Sequence, residues 1–502
     1  LVEPLLGLSH ATGGIMVGAI VIFIVATAGM ASTTYVQFLK GALLIVFSTV
    51  LTCCLLSRGL TTEPNQGGQV EFHQHTTLVG TLQDDKLTLA DKTYKDPQIV
   101  KIPGKTPGEI KMQFVKLTKS IPATPAIAAK GDTPATPAVK ASTKETWWLL
   151  TKDDTKTGSV HLDETQWATT KADDSQWING LPASEDNQLR QGSNLIKIQG
   201  KTGKAATVES MNPASFLAIM ADEGTVVRTW PKQALDTEKL GLSEKAITIY
   251  YPKELPGNKI MRPGLKFKVE GTWLQKMDFA SLMLALFFGT AALPHILIRY
   301  YTVPSQACAR KSTIVAIAAI GFFYVLTMYM GLGAMVSGVV NPADGNMSAP
   351  LLAKSFGVAL FAIVSAIAFA TVLGTVSGLI VASSGAVAHD LMDRWAGMKM
   401  TEKQKVMAGK LSAVGVGIVA IVLGIMFQGM NVSFLVGWAF AVAASANLPA
   451  ILMLLFWKRT TAKGIVASIT VGIISAIGWI LLSPDMFVRY GMAREEAIVP
   501  FS

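Results

Sequence analysis

Eight apolar stretches, at about 13–30, 36–57, 279–298, 312–339, 355–388, 408–428, 432–457 and 464–483, run along the chain, each nearly free of charge. Each is about 20 residues or longer, enough at about 1.5 Å per residue to cross a hydrocarbon core of roughly 30 Å. The bilayer interior gives backbone N–H and C=O groups no water to bond, so these stretches predict membrane helices. A polar block from 61 to 277 separates the second stretch from the third. The fold class that follows is an all-α polytopic membrane protein with a large β-rich insertion. Its parts are 1–60 (two helices), 61–277 (the insertion) and 278–502 (six helices).

The block itself changes period. Thr146 to Leu150, Val226 to Trp230 and Ala246 to Tyr251 carry aromatic and β-branched residues between Gly, Pro and Asp, which predicts strands. Ile121 to Ser142 contains Thr-Pro-Ala-Thr-Pro-Ala and little that builds a core, and reads as an extended linker. Trp147, Trp148, Trp167 and Trp177 read as buried strand aromatics in preference to a ligand platform.

Charge orients the helices. The net charge is +10, yet the basic residues form no single patch or arm, which argues against nucleic acid as a partner. They gather instead in alternate short loops: Lys40; Arg299, Arg310 and Lys311; Arg394, Lys399, Lys403, Lys405 and Lys410; Lys458, Arg459 and Lys463. Basic loops are retained in the cytoplasm, so the block 61–277 and the loop 341–354 are expected on the opposite face of a cell inner membrane. Cysteines stand only at 53, 54 and 308, leaving the block without a disulfide framework. Leu1 is not an initiator methionine, and the sequence reads as a fragment.

Inside the spans the chemistry lies in broken helix and small hydroxyls, not in charge. Phe288-Gly289-Thr290-Ala291-Ala292-Leu293-Pro294-His295 predicts an interruption of the third span, because Pro294 removes an N–H and Gly289 loosens the preceding turn. Peptide groups freed there bond substrate or ion in transporters, or merely mark a packing kink. The fifth span holds Thr371, Gly374, Thr375, Ser377, Gly378, Ser383, Ser384 and Gly385. Neutral hydroxyls and carbonyls suit a dehydrated cation, although small residues with hydroxyls also serve close helix packing. Asn447-Leu448-Pro449 predicts a further kink in the seventh span; His295 and Asp390 are weaker candidates for proton relay and ion exit.

Phe288 to Val303 followed by Ala309-Arg310-Lys311-Ser312 resembles the sodium/solute symporter family, and within it the bacterial cation/acetate permeases. Thr33 to Lys40, Ala386 to Leu391, and Val436 to Ala441 with Asn447-Leu448-Pro449 are similar to three further family motifs, in family order; the polar block is not covered. The resemblance implies the leucine-transporter type of inverted-repeat fold, incomplete here. Spans one and two would be the fourth and fifth core helices, spans three to seven the second repeat, and core helices one to three would lie in a missing N-terminal segment or a small partner subunit. Alone, the chain is expected to be inactive.

By the same resemblance the transported cation, sodium, falls on Thr371, Gly374 and Thr375, and the substrate on Gly289, Thr290 and Ala291. Gly374 stands where many sodium-coupled members carry a hydroxyl residue, so a proton remains an alternative. The function expected is symport of acetate or a similar short monocarboxylate, driven by a cation gradient through alternating access. The alternative is a ligand sensor or receptor built on a transporter-like bundle. No cofactor is implied, and the sequence shows no nucleophile with its base, metal cluster or phosphate loop, so an enzyme is not expected. His73, His75 and a distant His161 are read as surface residues of the block, with His73 and His75 on one strand face, and not as metal ligands.

Overall fold

The structure, a computed structural model, describes every residue except 1–9, 28–29, 84–85, 104–109, 122–141, 153–157, 185, 263, 265–268, 270, 298–299, 301–302, 399, 429, 431, 493–495 and 500–502. The Thr-Pro-Ala linker, Arg299 and Lys399 lie outside the described residues. The principal helices are α1 (His10–Thr27), α2 (Met30–Arg58), α3 (Pro213–Ala221), α4 (Trp273–Ala292), α5 (Gln306–Val336), α6 (Val358–Gly385), α7 (Glu402–Met426), α8 (Val432–Phe456) and α9 (Ala462–Leu481). The chain divides into two compact units, Leu1–Thr49 with Arg262–Val325 and Ile363–Ser502, and Val50–Met261 with Leu326–Ala362.

Seven helices among the described residues are long and apolar enough to cross a membrane: Val36–Arg58, Trp273–Leu297, Gln306–Val336, Val358–Arg394, Glu402–Met426, Val432–Phe456 and Ala462–Leu481. The first of the eight expected spans is the shorter apolar helix Ala11–Val25, within α1. At about 1.5 Å per residue, the 18 residues of α1 reach about 27 Å, just under a typical hydrocarbon core.

In the helical unit large apolar side chains point outward, such as Ile314 (68 % exposed), Ile474 (67 %) and Phe456 (79 %), as a lipid-facing surface requires. Close approach is left to small residues, because apolar contact alone gives helices in lipid no reason to associate. Gly417 accommodates Ile22 and Gly18 accommodates Ile421, which joins α1 to α7. Gly472 of α9 lies against the main chain of Ser445 and Ala446 in α8. A small core of Val21, Val25, Ile380 and Ala413 ties α6 to the same pair, α1 and α7.

The β-rich unit contains three sheets. The first has six antiparallel strands in the order β2-β1-β6-β5-β4-β3: Lys86–Leu89, Thr77–Gln83, Ser159–Glu164, Ser142–Lys152, Ile110–Ile121 and Tyr94–Pro103. Because Val115 opposes Trp148 and Lys116 opposes Trp147, the tandem tryptophans of β5 enter opposite faces of the sheet. Trp148 packs with Leu117, Leu150 and Leu162. Trp147 packs with Phe114, Trp167 and Ile249, against a second sheet in the order β12-β13-β7-β8-β9 (Lys232–Leu235, Ala246–Tyr250, Gln166–Thr170, Gln176–Ile178 and Leu181–Pro182). Trp147, Trp148 and Trp167 are buried, and Trp177 is half-buried under the Lys171 ammonium. The three strands read from the sequence appear as parts of β5, β11 (Val226–Thr229) and β13.

The third sheet, β14-β11-β10-β15, includes a strand the sequence pattern did not reveal. Here β15 (Ser337–Val340) directly follows α5 and pairs with β10 (Gly192–Lys197), while β14 (Lys253–Pro256) closes the other edge. Beneath it, Leu195, Phe216, Met220 and Val227 pack with Leu55, Leu60, Tyr329 and Val336, and the Tyr329 hydroxyl donates to the Pro213 carbonyl at 3.1 Å. Arg58 donates to the Ser355 hydroxyl and carbonyl and covers the Phe356 ring. This unit differs from 61–277 at both ends: it takes in 50–60 and 326–362 and stops at Met261.

Candidate functional site

Helix α4 begins at a capping box in which Thr272 and Gln275 exchange side-chain and backbone hydrogen bonds. It ends where the sequence predicts an interruption. Leu293 turns extended, at φ −69° and ψ 119°, because the ring of Pro294 excludes the helical conformation from the residue before it. Pro294 then starts a single turn, Pro294–Leu297, where its missing N–H costs nothing. The carbonyl of Ala292 has lost its helical donor and accepts instead from Asn447 Nδ2 at 3.0 Å. Two segments singled out separately in the sequence are thus bonded to each other.

Gly289 is buried at the crossing of α4 and α8. A Cβ there would stand 2.8 Å from the Phe440 Cα, so only glycine lets the two main chains approach this closely. The hydroxyl of Thr290 turns back to the Leu286 carbonyl at 2.6 Å, and Thr290 and Ala291 are exposed. The three residues assigned to substrate therefore adjoin the break, with Gly289 also joining two helices.

Helix α6 runs without interruption through Gly385. The hydroxyl of Thr371 donates to the Ile367 carbonyl (2.7 Å), Thr375 to Thr371 (3.0 Å) and Ser377 to Leu373 (2.7 Å), each one turn back. These residues satisfy their hydroxyls within a continuous helix, and no proline forces them out of it. Beyond Gly385 the helix widens into a π-helical segment, Ala386–Trp395, at whose exposed edge His389 and Asp390 pair at 2.9 Å.

Gly374 is the member of the trio with an outside partner. Its carbonyl accepts from Gln37 Nε2 of α2 at 2.6 Å, and a Cβ on Gly374 would lie 3.2 Å from Lys40 Nζ. Gln37 and Lys40 belong to the motif Thr33 to Lys40, whose charge the sequence reading had placed in a loop; both stand within α2. Glycine at 374 leaves room for this ammonium. Lys40 thus stands beside a residue assigned to the cation, a placement the sequence did not suggest, because a charge at a span's end has an ordinary explanation in topology.

A second feature lies among α4, α8 and α9. A cavity of about 400 Å³ is lined by Asp278, Ser281, Trp438, Ser445, Ser475 and Trp479, among others. The indole N–H of Trp438 is buried there without a hydrogen-bond partner. Trp438 belongs to the motif Val436 to Ala441, which carried the resemblance without being assigned a role.

Comparison with known proteins agrees with the motifs. Residues 254–472 match the model of the sodium:solute symporter family, a family of transporters. With its seven candidate spans the chain is a multi-pass membrane protein. It is 44 % identical over 270 residues to a protein of Corynebacterium glutamicum named monocarboxylic acid transporter, covering 52 % of this chain and 47 % of the relative. It is 43 % identical over 255 residues to a Bacillus subtilis protein named uncharacterized symporter YwcA, covering 49 % and 48 %. The chain spans about half the length of these curated relatives. No solved structure matches it.

Proposed function

We propose that the chain is the larger part of a symporter that carries acetate or a similar short monocarboxylate with a cation across the cell inner membrane. The observation that carries this reading is the family match over 254–472, joined by a relative named for monocarboxylic acids. The fold proposed is the leucine-transporter type of inverted repeat, with 61–277 on the extracytoplasmic face, as the alternation of basic loops supports. Substrate is assigned to the break in α4, beside Gly289, Thr290 and Ala291, and the cation to Thr371, Gly374 and Thr375 of α6.

The surroundings of Gly374 favour a proton over sodium as the coupling ion. A sodium ion bound there would share the surroundings of Gly374 with the Lys40 ammonium, a like charge that repels it. A protonated lysine supplies the same positive charge on a tether, and protonation cycles then stand in for ion binding. One cation per monocarboxylate moves no net charge; each further cation would add about 2.3 kcal/mol per 100 mV of membrane potential.

Uptake of radiolabelled acetate into proteoliposomes holding the full-length protein tests the reading. Accumulation driven by an inward proton gradient, and insensitive to sodium, is expected. Specific acetate binding without accumulation under either gradient would instead indicate the sensor alternative.

A further inference from the structure

The β-rich unit holds a cavity of about 420 Å³ that the transport reading does not use, and its lining includes His75, Arg190, Ser193, Trp230 and Lys354. Ser193 and Trp230 are only 3 % and 8 % exposed, yet neither Ser193 Oγ nor Trp230 Nε1 has a hydrogen-bond partner, and His75 Nδ1 is equally unpartnered. A folded protein leaves such groups unpaired at a cost, and three around one cavity mark a place where a partner belongs. They are held together: the His75 and Trp230 rings stand 4.9 Å apart, and the indole nitrogen lies where a Cβ on Gly192 would come within 2.7 Å of it.

The backbone is shaped to the same end. Ser193 adopts φ 75°, a left-handed conformation costly for a residue other than glycine, and the β10–β15 register shifts between Gly192 and Asn194. Such an irregularity re-aims a side chain that a regular strand would place elsewhere. Next to it Gln166 clamps Arg190 from both sides, accepting from its N–H at 2.6 Å and donating to its carbonyl at 3.1 Å.

What the cavity takes follows from the donors it leaves unpaired. His73 and His75, both in its lining, and Glu164 bring possible metal-ligand atoms within 4.8 Å of one another. His161 is not among them, and His73 and His75 lie on irregular chain before β1, not on a strand. Arg190, however, donates to His73 Nδ1 at 3.1 Å and to Glu164 Oε1 at 2.6 Å. A guanidinium only donates, so Nδ1 is bare and the proton sits on Nε2, given to Glu164 Oε2 at 3.1 Å. A metal-bound imidazole needs the reverse, a protonated nitrogen facing an acceptor, and a guanidinium beside the carboxylate further repels a cation.

The remaining groups call for an acceptor. An indole N–H can only donate and a serine hydroxyl readily does; Lys354 and Arg190 share the lining with Glu71, and Arg190 is already paired with Glu164, so it is the two buried donors and not a net charge that select the ligand. Burial and the nearby Arg228 push the His75 pKa down to about 4, so its ring is neutral and offers a flat apolar wall. We propose that this cavity binds a small carboxylate, its oxygens on Ser193 and Trp230 and its apolar part against the outer side of the paired Trp230 and His75 rings.

The test is fluorine NMR of the purified chain labelled with 5-fluorotryptophan. Trp230→Phe identifies one resonance among those of the 10 tryptophans. Propionate is expected to shift it saturably, with inorganic phosphate and zinc each leaving it in place. Ser193→Ala is expected to weaken propionate about tenfold, the loss of one hydrogen bond to a charged group, and Lys354→Gln to weaken it several-fold. A Trp230 resonance that propionate does not move overturns the proposal. So does one that phosphate or zinc moves as readily, or an affinity unchanged in both variants.

Discussion

Helices α4 and α6 looked alike in sequence, each an apolar span interrupted by glycines and hydroxyls, yet one breaks and the other does not. In α4 the break is covalent in origin: Pro294 has no N–H to give and forces Leu293 out of the helix, so the Ala292 carbonyl finds Asn447. In α6 every threonine and serine from 371 to 377 bonds back one turn, and the helix closes over its own polar groups. Glycines and hydroxyls permit an irregularity; a proline compels one. The cation-site assignment on α6 thus depends less on an unwound helix than on what α2 brings to the Gly374 carbonyl.

That contrast is sharpest at Gly289. Gly289→Val should drive a side chain into the Phe440 main chain and destabilise the α4–α8 crossing by about 3 kcal/mol, the upper range for overpacking. Size-exclusion chromatography and thermal denaturation in detergent would read the loss, and a variant as stable as the parent would show that the crossing yields. Asn447→Leu should cost about 2 kcal/mol by leaving the buried Ala292 carbonyl unpaired. Here the denaturation midpoint should fall, while Gln37→Leu, which removes the α2 donor to the Gly374 carbonyl of α6, should lower it less, because that carbonyl stays within a continuous helix.

On the α6 side the effects are on transport more than on stability. Lys40→Met in the full-length protein should reduce proton-driven acetate uptake about tenfold, equivalent to about 1.4 kcal/mol, and a sodium stimulation absent from the parent should appear. Uptake with unaltered proton dependence would remove Lys40 from the site. Thr375→Ala has the smallest expected effect on folding, below about 0.5 kcal/mol, because its hydroxyl duplicates a bond the helix does not need. A measurable loss of apparent cation affinity on that background would mark the hydroxyl as a ligand in the transport cycle.

Length and hydropathy sufficed for the helices, because a bilayer-crossing segment must be apolar for most of its length and satisfy its own backbone. The same local logic located the break at Pro294 and the strands around Trp147, Val226 and Ala246. The four motifs led to the family, since they place specific residues at specific depths of a span. None of this needed a partner distant in the chain.

Tertiary structure decided what those residues touch. That Asn447 answers the Ala292 carbonyl across 155 positions, that Gln37 and Lys40 stand beside Gly374, and that β15 completes a sheet begun at Gly192 are long-range pairings. So is the cluster of Ser193, Trp230 and His75, three residues from separate segments whose only sequence signature is ordinary polarity. A hydrogen bond between side chains far apart in the chain leaves no periodicity behind, and burial without a partner is a property of the folded surroundings alone.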